Sequence, residues 1–283
     1  MDISQKRILV TGSDGLFGKC LVEELKKQNC NVLPFDKAQG DVTDWNSVKN
    51  IENADIICHL AGIPSVAYSF ENPLEVMSVN ALGTLNMLEF ARKNKIKKFI
   101  FISSYLYGNP KYLPIDEKHP LQPGNPYAYS KLAAEAFCEG YHKAYGIPMI
   151  IFRPFNVYGP NQKNMVIPAI LEQLNSGKVV LKDIEPKRDY IYVSDVISAI
   201  ISAFQSNIDG YKVFNLGSGK SHSVRELAEI IFNISGKKVS IVNLKQRRPN
   251  EIMDCIADIT KAKNILGWEP KISLAEGLAK IVL

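Results

Sequence analysis

The stretch Arg7-Ile8-Leu9-Val10-Thr11-Gly12-Ser13-Asp14-Gly15-Leu16-Phe17-Gly18 decides the fold. A short β-rich apolar run passes through a glycine-punctuated turn into an amphipathic stretch over 16–28. This is the strand–turn–helix unit in which a backbone approaches a pyrophosphate. Gly12 and Gly15 carry no side chain to hold the phosphates off, and the positive end of the helix dipole stabilises the anion. Gly18 lets the helix pack against its strand. Asp14, Leu16 and Phe17 share the turn and are read with it as cofactor contacts.

Working outward, a second strand over 31–35 ends at Asp36, eighteen residues after Gly18. A carboxylate there accepts hydrogen bonds from a ribose and repels a 2′-phosphate, which favours NAD over NADP. Lys37 beside it is a cation that can receive that phosphate, so NADP stays as the lesser alternative. Asp41-Val42 follows after only four residues, so the βα unit after the second strand is expected to be shortened or absent. Further strands are expected over 55–60, 98–103 and 149–152, with helices over 74–93 and 127–145. Alternating β and α elements predict an α/β chain, a Rossmann-type doubly wound parallel sheet. The first two strands are apolar on both parities, as a sheet covered on both faces requires.

After Pro154 turn residues become frequent and elements shorten, with helices expected over 224–234 and around 274–281. The expected division is a dinucleotide-binding domain over 1–155 and a smaller α/β substrate-binding domain over 156–283. Part of 189–217 is expected to return to the first.

Tyr127-Ala128-Tyr129-Ser130-Lys131 opens an amphipathic helix. Spacing of four puts Tyr127 and Lys131 on one face. Free tyrosine is too weak an acid to serve as a base at neutral pH, and a neighbouring ammonium would favour its phenolate. Lys131 is also placed to bind the nicotinamide ribose. Upstream, the strand over 98–103 ends in Ser103-Ser104-Tyr105-Leu106-Tyr107-Gly108. A hydroxyl at the carboxyl end of a parallel strand lies where such sheets bind ligands. Ser103 is therefore the expected partner of an oxygen that alternates between alcohol and ketone.

In this order the motifs resemble the extended short-chain dehydrogenases that act on nucleotide sugars. The resemblance covers nearly the whole chain. It includes Thr11 to Gly18, His59-Leu60-Ala61-Gly62, Asn80 to Asn86, and the Ser103 and Tyr127 segments. It continues through Arg153-Pro154-Phe155-Asn156-Val157-Tyr158-Gly159-Pro160, Arg188 to Asp195, Phe214 to Gly219 and Leu266 to Pro270. The resemblance implies Tyr127 as general base or acid, Lys131 as its modulator and Ser103 as oxyanion partner. It implies Asp41 and Val42 at the adenine, and Leu60, Ala61, Gly62, Asn80 and Phe155 among the cofactor contacts. Ser104 and Tyr105 fall to the substrate, Asn156 to the sugar or its diphosphate, and Arg188 and Arg248 to the diphosphate, where guanidinium forks suit phosphate. Trp268 is expected to pack rather than bind.

The 4,6-dehydratase branch has an Asp-Glu pair where this chain has Ser104 and Tyr105, which disfavours dehydration. The leading expectation is an NAD-dependent nucleotide-sugar 4-epimerase acting through a transient 4-keto sugar. A 4-keto nucleotide-sugar reductase using NAD(P)H is the near alternative, and a non-catalytic nucleotide sensor the remote one. The nucleotide (UDP, dTDP, CDP or GDP) stays open. By the same resemblance, the outer faces of 74–93 and 127–145 are expected to pair in a homodimer.

Composition agrees with a folded chain. Of 283 residues, 46% are apolar and 22% charged, near the globular average. A net charge of +5, from 34 basic and 29 acidic residues, is scattered, whereas a nucleic-acid binder gathers it in a stripe. No apolar run approaches a membrane span, and the charged start fits no secretory leader. Five widely spaced cysteines and four dispersed histidines suit neither a disulfide framework nor a metal site. The expectations are therefore no metal, no nucleic acid, no membrane, and the cytoplasm.

Overall fold

The computed structural model describes residues 2–163, 165–248 and 251–283. In chain order the elements begin β1 (Arg7–Thr11), α1 (Leu16–Lys27), β2 (Asn31–Phe35), α2 (Trp45–Lys49) and β3 (Ile56–His59). Next come α3 (Val66–Glu71), α4 (Pro73–Met77), a π-helical turn (Ser78–Leu82), α5 (Gly83–Lys93), β4 (Lys98–Ile102), α6 (Pro126–Tyr145) and β5 (Met149–Pro154). There follow β6 (Asn156–Tyr158), α7 (Val166–Gln173), β7 (Lys178–Leu181), β8 (Lys187–Tyr192), α8 (Val193–Gln205) and β9 (Tyr211–Leu216). The chain closes with β10 (Ser221–Ser223), α9 (Val224–Ser235), β11 (Ser240–Asn243) and α10 (Leu274–Val282).

The residues divide into two compact units. The first comprises Met1–Leu106, Leu121–Arg153 and Ile197–Phe214, and the second Tyr107–Pro120, Pro154–Val196 and Asn215–Leu283. The returning segment, Ile197–Phe214, is part of 189–217. The second unit also takes residues 107–120, a loop that sequence continuity assigned to the first. Two backbone hydrogen bonds tie that loop there, Ile115 to Ile256 O and Asp258 to Ile115 O, both 2.8 Å.

The first unit is built on a six-stranded sheet in the order β2-β1-β3-β4-β5-β9. β1 to β5 pair in parallel. Leu9, Ile57, Phe99, Phe101, Met149 and Ile151 point to one face, where they bury with Met87, Leu88 and Phe90 of α5 and Ala134 and Cys138 of α6. The opposite parity, including Ile8, Val10, Cys58, Ile100 and Phe152, is equally buried. On that face Lys98 donates to Ala203 O and Ser206 O, both 2.7 Å, at the end of α8. A sheet covered on both faces is what the apolar runs predicted.

β2 departs from that reading. It forms the outer edge, with Asn31 and Pro34 exposed. Pro34 lacks the N–H that a further strand would need, and such residues are confined to edges. The crossover from β2 to β3 holds only the single-turn α2, started by Asp44, whose carboxylate accepts the amides of Asn46 and Ser47. The unit after the second strand is therefore shortened, not absent.

The helix expected over 74–93 is three pieces, α4, the π turn and α5. Gly83 explains part of the break, since a Cβ there would lie 2.8 Å from Val42 Cγ2. The wider turn also sends the Asn80 side chain inward, where it is fully buried. Single π turns inside helices cluster at functional sites.

The second unit has a three-stranded sheet, β10-β8-β6, and a parallel pair, β11-β7. α9 and α10 start with reciprocal capping boxes, Ser223 with Glu226 and Ser273 with Glu276. Asp189 is buried and accepts the amides of Ser218, Gly219 and Ala257 at 2.6, 3.0 and 3.0 Å. It organises the Gly217-Ser218-Gly219 turn from within. Trp268 is buried and donates to Asp195 O at 3.0 Å. No helix among the described residues is long and apolar enough to cross a membrane.

Candidate active site

Gly12 adopts φ +68°, where L side chains are strained. A Cβ on it would stand 2.6 Å from Ala61 N, so the glycine loop packs directly on the chain leaving β3. Gly18 is tighter still, because its Cβ would meet Gly12 O at 2.1 Å. Gly15 caps α1 without a side-chain acceptor, which leaves first-turn amides facing outward for an anion. Asp36 sits at the rim. Its carboxylate accepts the Asp14 amide at 2.9 Å and the Lys37 amide at 2.7 Å. Lys37 itself is exposed. Asp41 is turned to its own loop, accepting from Thr43 N and Oγ1 at 2.8 Å, while Val42 is buried against α5.

A closed polar network underlies the loop. The Leu60 and Ala61 amides donate to Thr11 Oγ1, which bonds His59 Nδ1 at 2.7 Å. His59 Nε2 bonds Thr84 Oγ1 at 3.0 Å, and Thr84 donates to Asn80 O at 2.6 Å. These donors and acceptors are satisfied only with the proton on Nε2. Burial, with Lys131 nearby, holds the His59 pKa down to about 3, so the ring is neutral. Asn80 continues the chain of bonds: Oδ1 accepts the Ile63 amide at 2.8 Å, and Nδ2 donates to Ser130 Oγ at 2.9 Å. Thr11, His59, Thr84 and Ser130 were not singled out from sequence. Each is small or neutral, and its partners lie far along the chain.

Helix α6 begins where the Asn125 side chain accepts the Ala128 amide, with Pro126 in the first turn. That start presents Tyr127 and Lys131 one turn apart. Lys131 is buried, its Nζ donating to Ile102 O at 2.9 Å and lying 4.8 Å from the centre of the Phe101 ring. Burial pulls its pKa down to about 8, against the opposing pull of Glu135. The expected lowering of the Tyr127 pKa by Lys131 is not what governs the phenol. Burial raises the Tyr127 pKa, and a hydrogen bond from Ser104 opposes the rise. Next in the chain, Ser103 is buried and its Oγ has no partner. A buried hydroxyl without a bond is costly, so this one points to a ligand acceptor. Glycine cradle, rim carboxylate and orphaned serine together fit a dinucleotide beside a reacting oxygen.

The remaining sequence candidates, Tyr105 apart, fall in the second unit. Phe155 is buried against Tyr107, and its amide bonds Leu216 O at 2.8 Å. Asn156 Nδ2 donates to Asp189 O at 3.3 Å. Arg188 is held by the Glu251 carboxylate, by Ile252 O at 2.6 Å and by Lys187 O at 2.8 Å. Arg248 is exposed. Tyr105, of the first unit, is half-buried. Among the described residues no group of three or more His, Cys, Asp or Glu side chains is arranged to hold a metal.

This fold and loop geometry define a short-chain, dinucleotide-dependent enzyme. Residues 8–217 match the NAD dependent epimerase/dehydratase family, and the chain belongs to that family. A UDP-glucose 4-epimerase of Mycolicibacterium smegmatis is 32% identical, covering 98% of this chain and 97% of its own. The solved UDP-glucose 4-epimerase of Thermotoga maritima, with UDP-glucose, superposes with TM-score 0.91 at 32% identity, covering 98% and 97%. RMD from Pseudomonas aeruginosa, complexed with NADPH, gives TM-score 0.91 at 31% identity, covering 98% of each chain.

Proposed function

We propose that the chain is a nucleotide-sugar 4-epimerase that uses NAD. The observation that carries this reading is the unbonded, buried Ser103 hydroxyl, next in sequence to the serine that bonds Tyr127. Tyr127 Oη takes the proton from the sugar 4-hydroxyl, and Ser103 Oγ donates to the oxygen left behind. NAD held at the glycine loop would supply the hydride acceptor for C4 and the donor for its return to the other face. Tyr127 then returns the proton, completing inversion with no net redox change. Lys131 binds the nicotinamide ribose and keeps the phenol acidic in the complex. Gly12, Gly15 and Gly18 admit the pyrophosphate, with Asp14, Leu16 and Phe17 around it. Asp36 holds the adenosine ribose with Lys37 beside it, and Asp41 and Val42 lie toward the adenine. Leu60, Ala61, Gly62, Asn80 and Phe155 complete the cofactor contacts.

In the second unit we assign Asn156, Arg188 and Arg248 to the nucleotide diphosphate, and in the first Ser104 and Tyr105 to the sugar side. Arg188 would then trade bonds within the chain for phosphate oxygens, a geometry its fork suits. We place the protein in the cytoplasm, where nucleotide sugars are made.

We also assign a homodimer. Val66, Tyr68 and Phe70 of α3, Leu74 and Met77 of α4, Leu82 of the π turn, and Tyr129 and Phe137 of α6 are exposed apolar side chains on elements that pack together. Exposed apolar side chains gathered on packed elements are the kind of surface that forms an interface, and a two-fold pair is the commonest way to cover it.

The test is interconversion of UDP-glucose and UDP-galactose without added cofactor, followed by denaturation and identification of the released dinucleotide. Turnover with NAD released supports the epimerase. Turnover of 4-keto sugars only, with NADPH consumed, would replace it with the reductase, a reading favoured by the likeness to an NADPH complex and by the exposed Lys37. Tyr127→Phe should cut turnover by about 10²–10⁴-fold, the usual weight of a general acid–base group, while dinucleotide binding measured by calorimetry stays intact.

A further inference from the structure

One turn beyond Lys131, α6 carries a second buried charge that the reaction as described leaves unused. Glu135 is 4% exposed and Arg153, at the end of β5, is 5% exposed. Arg153 Nε reaches both carboxylate oxygens, at 3.0 and 3.2 Å, and its terminal nitrogen reaches Oε2 at 2.5 Å. As a stabilising device this is a poor choice, because a buried ion pair replaced by apolar groups of equal volume often leaves a protein as stable or more so. Its position suggests another use. Glu135 follows Lys131 by four residues, which puts both on one face of α6.

The surroundings of the Lys131 amine leave Glu135 as the anion that faces it. From β3, His59 is neutral. From β4 come the Ile102 carbonyl and the Phe101 ring. On α6 itself stand Tyr127 and the Cys138 thiol, both raised by burial and so uncharged. β9 contributes Tyr211, also raised by burial and beside Glu135. β5 contributes Arg153, whose guanidinium is bonded to the Glu135 carboxylate.

We propose that Glu135 is a positioning residue for the reaction: its carboxylate keeps the buried Lys131 amine in the ammonium form, and Arg153 sets how much of that negative charge Lys131 feels. This rests on Tyr127 and Lys131 being the reacting pair. Without the carboxylate, a buried amine gives up its proton near neutral pH, and the ribose contact and the support of the phenolate go with it. Without Arg153, the carboxylate belongs to Lys131 alone and the ammonium persists to higher pH. The two partners therefore act in opposite directions, which a merely structural ion pair does not do.

The experiment labels lysine at ¹³Cε in the full chain, assigns the Lys131 resonance with Lys131→Arg, and titrates it in Glu135→Gln and Arg153→Met. The midpoint is expected to fall by about one to two pH units in Glu135→Gln and to rise in Arg153→Met, with Glu135→Asp restoring most of the parent value. The pH profile of epimerisation should move the same way in each. If Glu135→Gln fails to fold, Arg153→Met decides alone, an upward midpoint supporting the proposal and an unmoved one overturning it. Parent-like midpoints in both folded variants overturn the role of Glu135 and leave the epimerase reading intact. Shifted midpoints with an unmoved activity profile overturn Lys131 as a member of the reacting pair, and the role of Glu135 with it.

Discussion

Two opposed influences act on the Tyr127 phenol: burial favours the neutral form and the Ser104 hydroxyl favours the phenolate. Because a hydrogen bond to the charged form lowers a pKa, Ser104→Ala should move the alkaline-rising limb of the activity profile to higher pH, by about one unit or less. Ser104→Thr, which keeps the hydroxyl, should restore it. If Ser104 served the sugar alone, KM would rise and the profile would stay in place. Tyr127, Lys131 and Ser103 were singled out from spacing and order. The bond from Ser104 was not, since Ser104 and Tyr127 lie 23 positions apart and nothing local links them.

At the scale of the element, the glycine loop shows how closely a turn can be specified. Gly18→Ala would force a Cβ to within 2.1 Å of a backbone carbonyl, and backbone cannot step aside as a flexible side chain can. Dinucleotide affinity in that variant should fall at least about tenfold by calorimetry, with a lowered melting temperature; unchanged affinity would remove the loop from the cofactor site. The break between α4 and α5 was invisible beforehand. A π turn adds one residue to an otherwise regular helical period, and the cause lies in Asn80 and Gly83 meeting residues from other elements. The edge position of β2 was likewise hidden, although Pro34 hinted at it.

Across the whole molecule, a histidine buried in its neutral form makes acid the vulnerable side. The His59 pKa is depressed to about 3 from an ordinary 6.5. Its contribution to stability is therefore complete above pH 6.5 and is lost progressively as pH falls toward 3. Denaturant midpoints should decline over that window, and His59→Gln should flatten the decline even if it lowers stability at neutral pH. The apolar face on α3, α4 and α6 predicts a second effect at this scale. Leu74 is 83% exposed, so Leu74→Asp costs little within one chain. In sedimentation it should turn a dimer at micromolar concentration into monomer, and a parent chain that is already monomeric would end the assignment.

Local and periodic information was enough for the alternation of strands and helices and for the glycine turn, and it singled out Asp36 and the Tyr127, Lys131 and Ser103 trio as candidates. These depend on residue type and short spacing, which a chain carries whether folded or not. Tertiary structure alone decided that β2 is an edge, that residues 107–120 belong with the second unit, and that Arg188 is engaged by Glu251. It also joined Thr11, His59, Thr84 and Asn80 into one network and set Glu135 against Arg153. In every such case the partners are distant in sequence. The free energy that pairs them comes from burial, where a polar group must find whichever partner the fold brings to it.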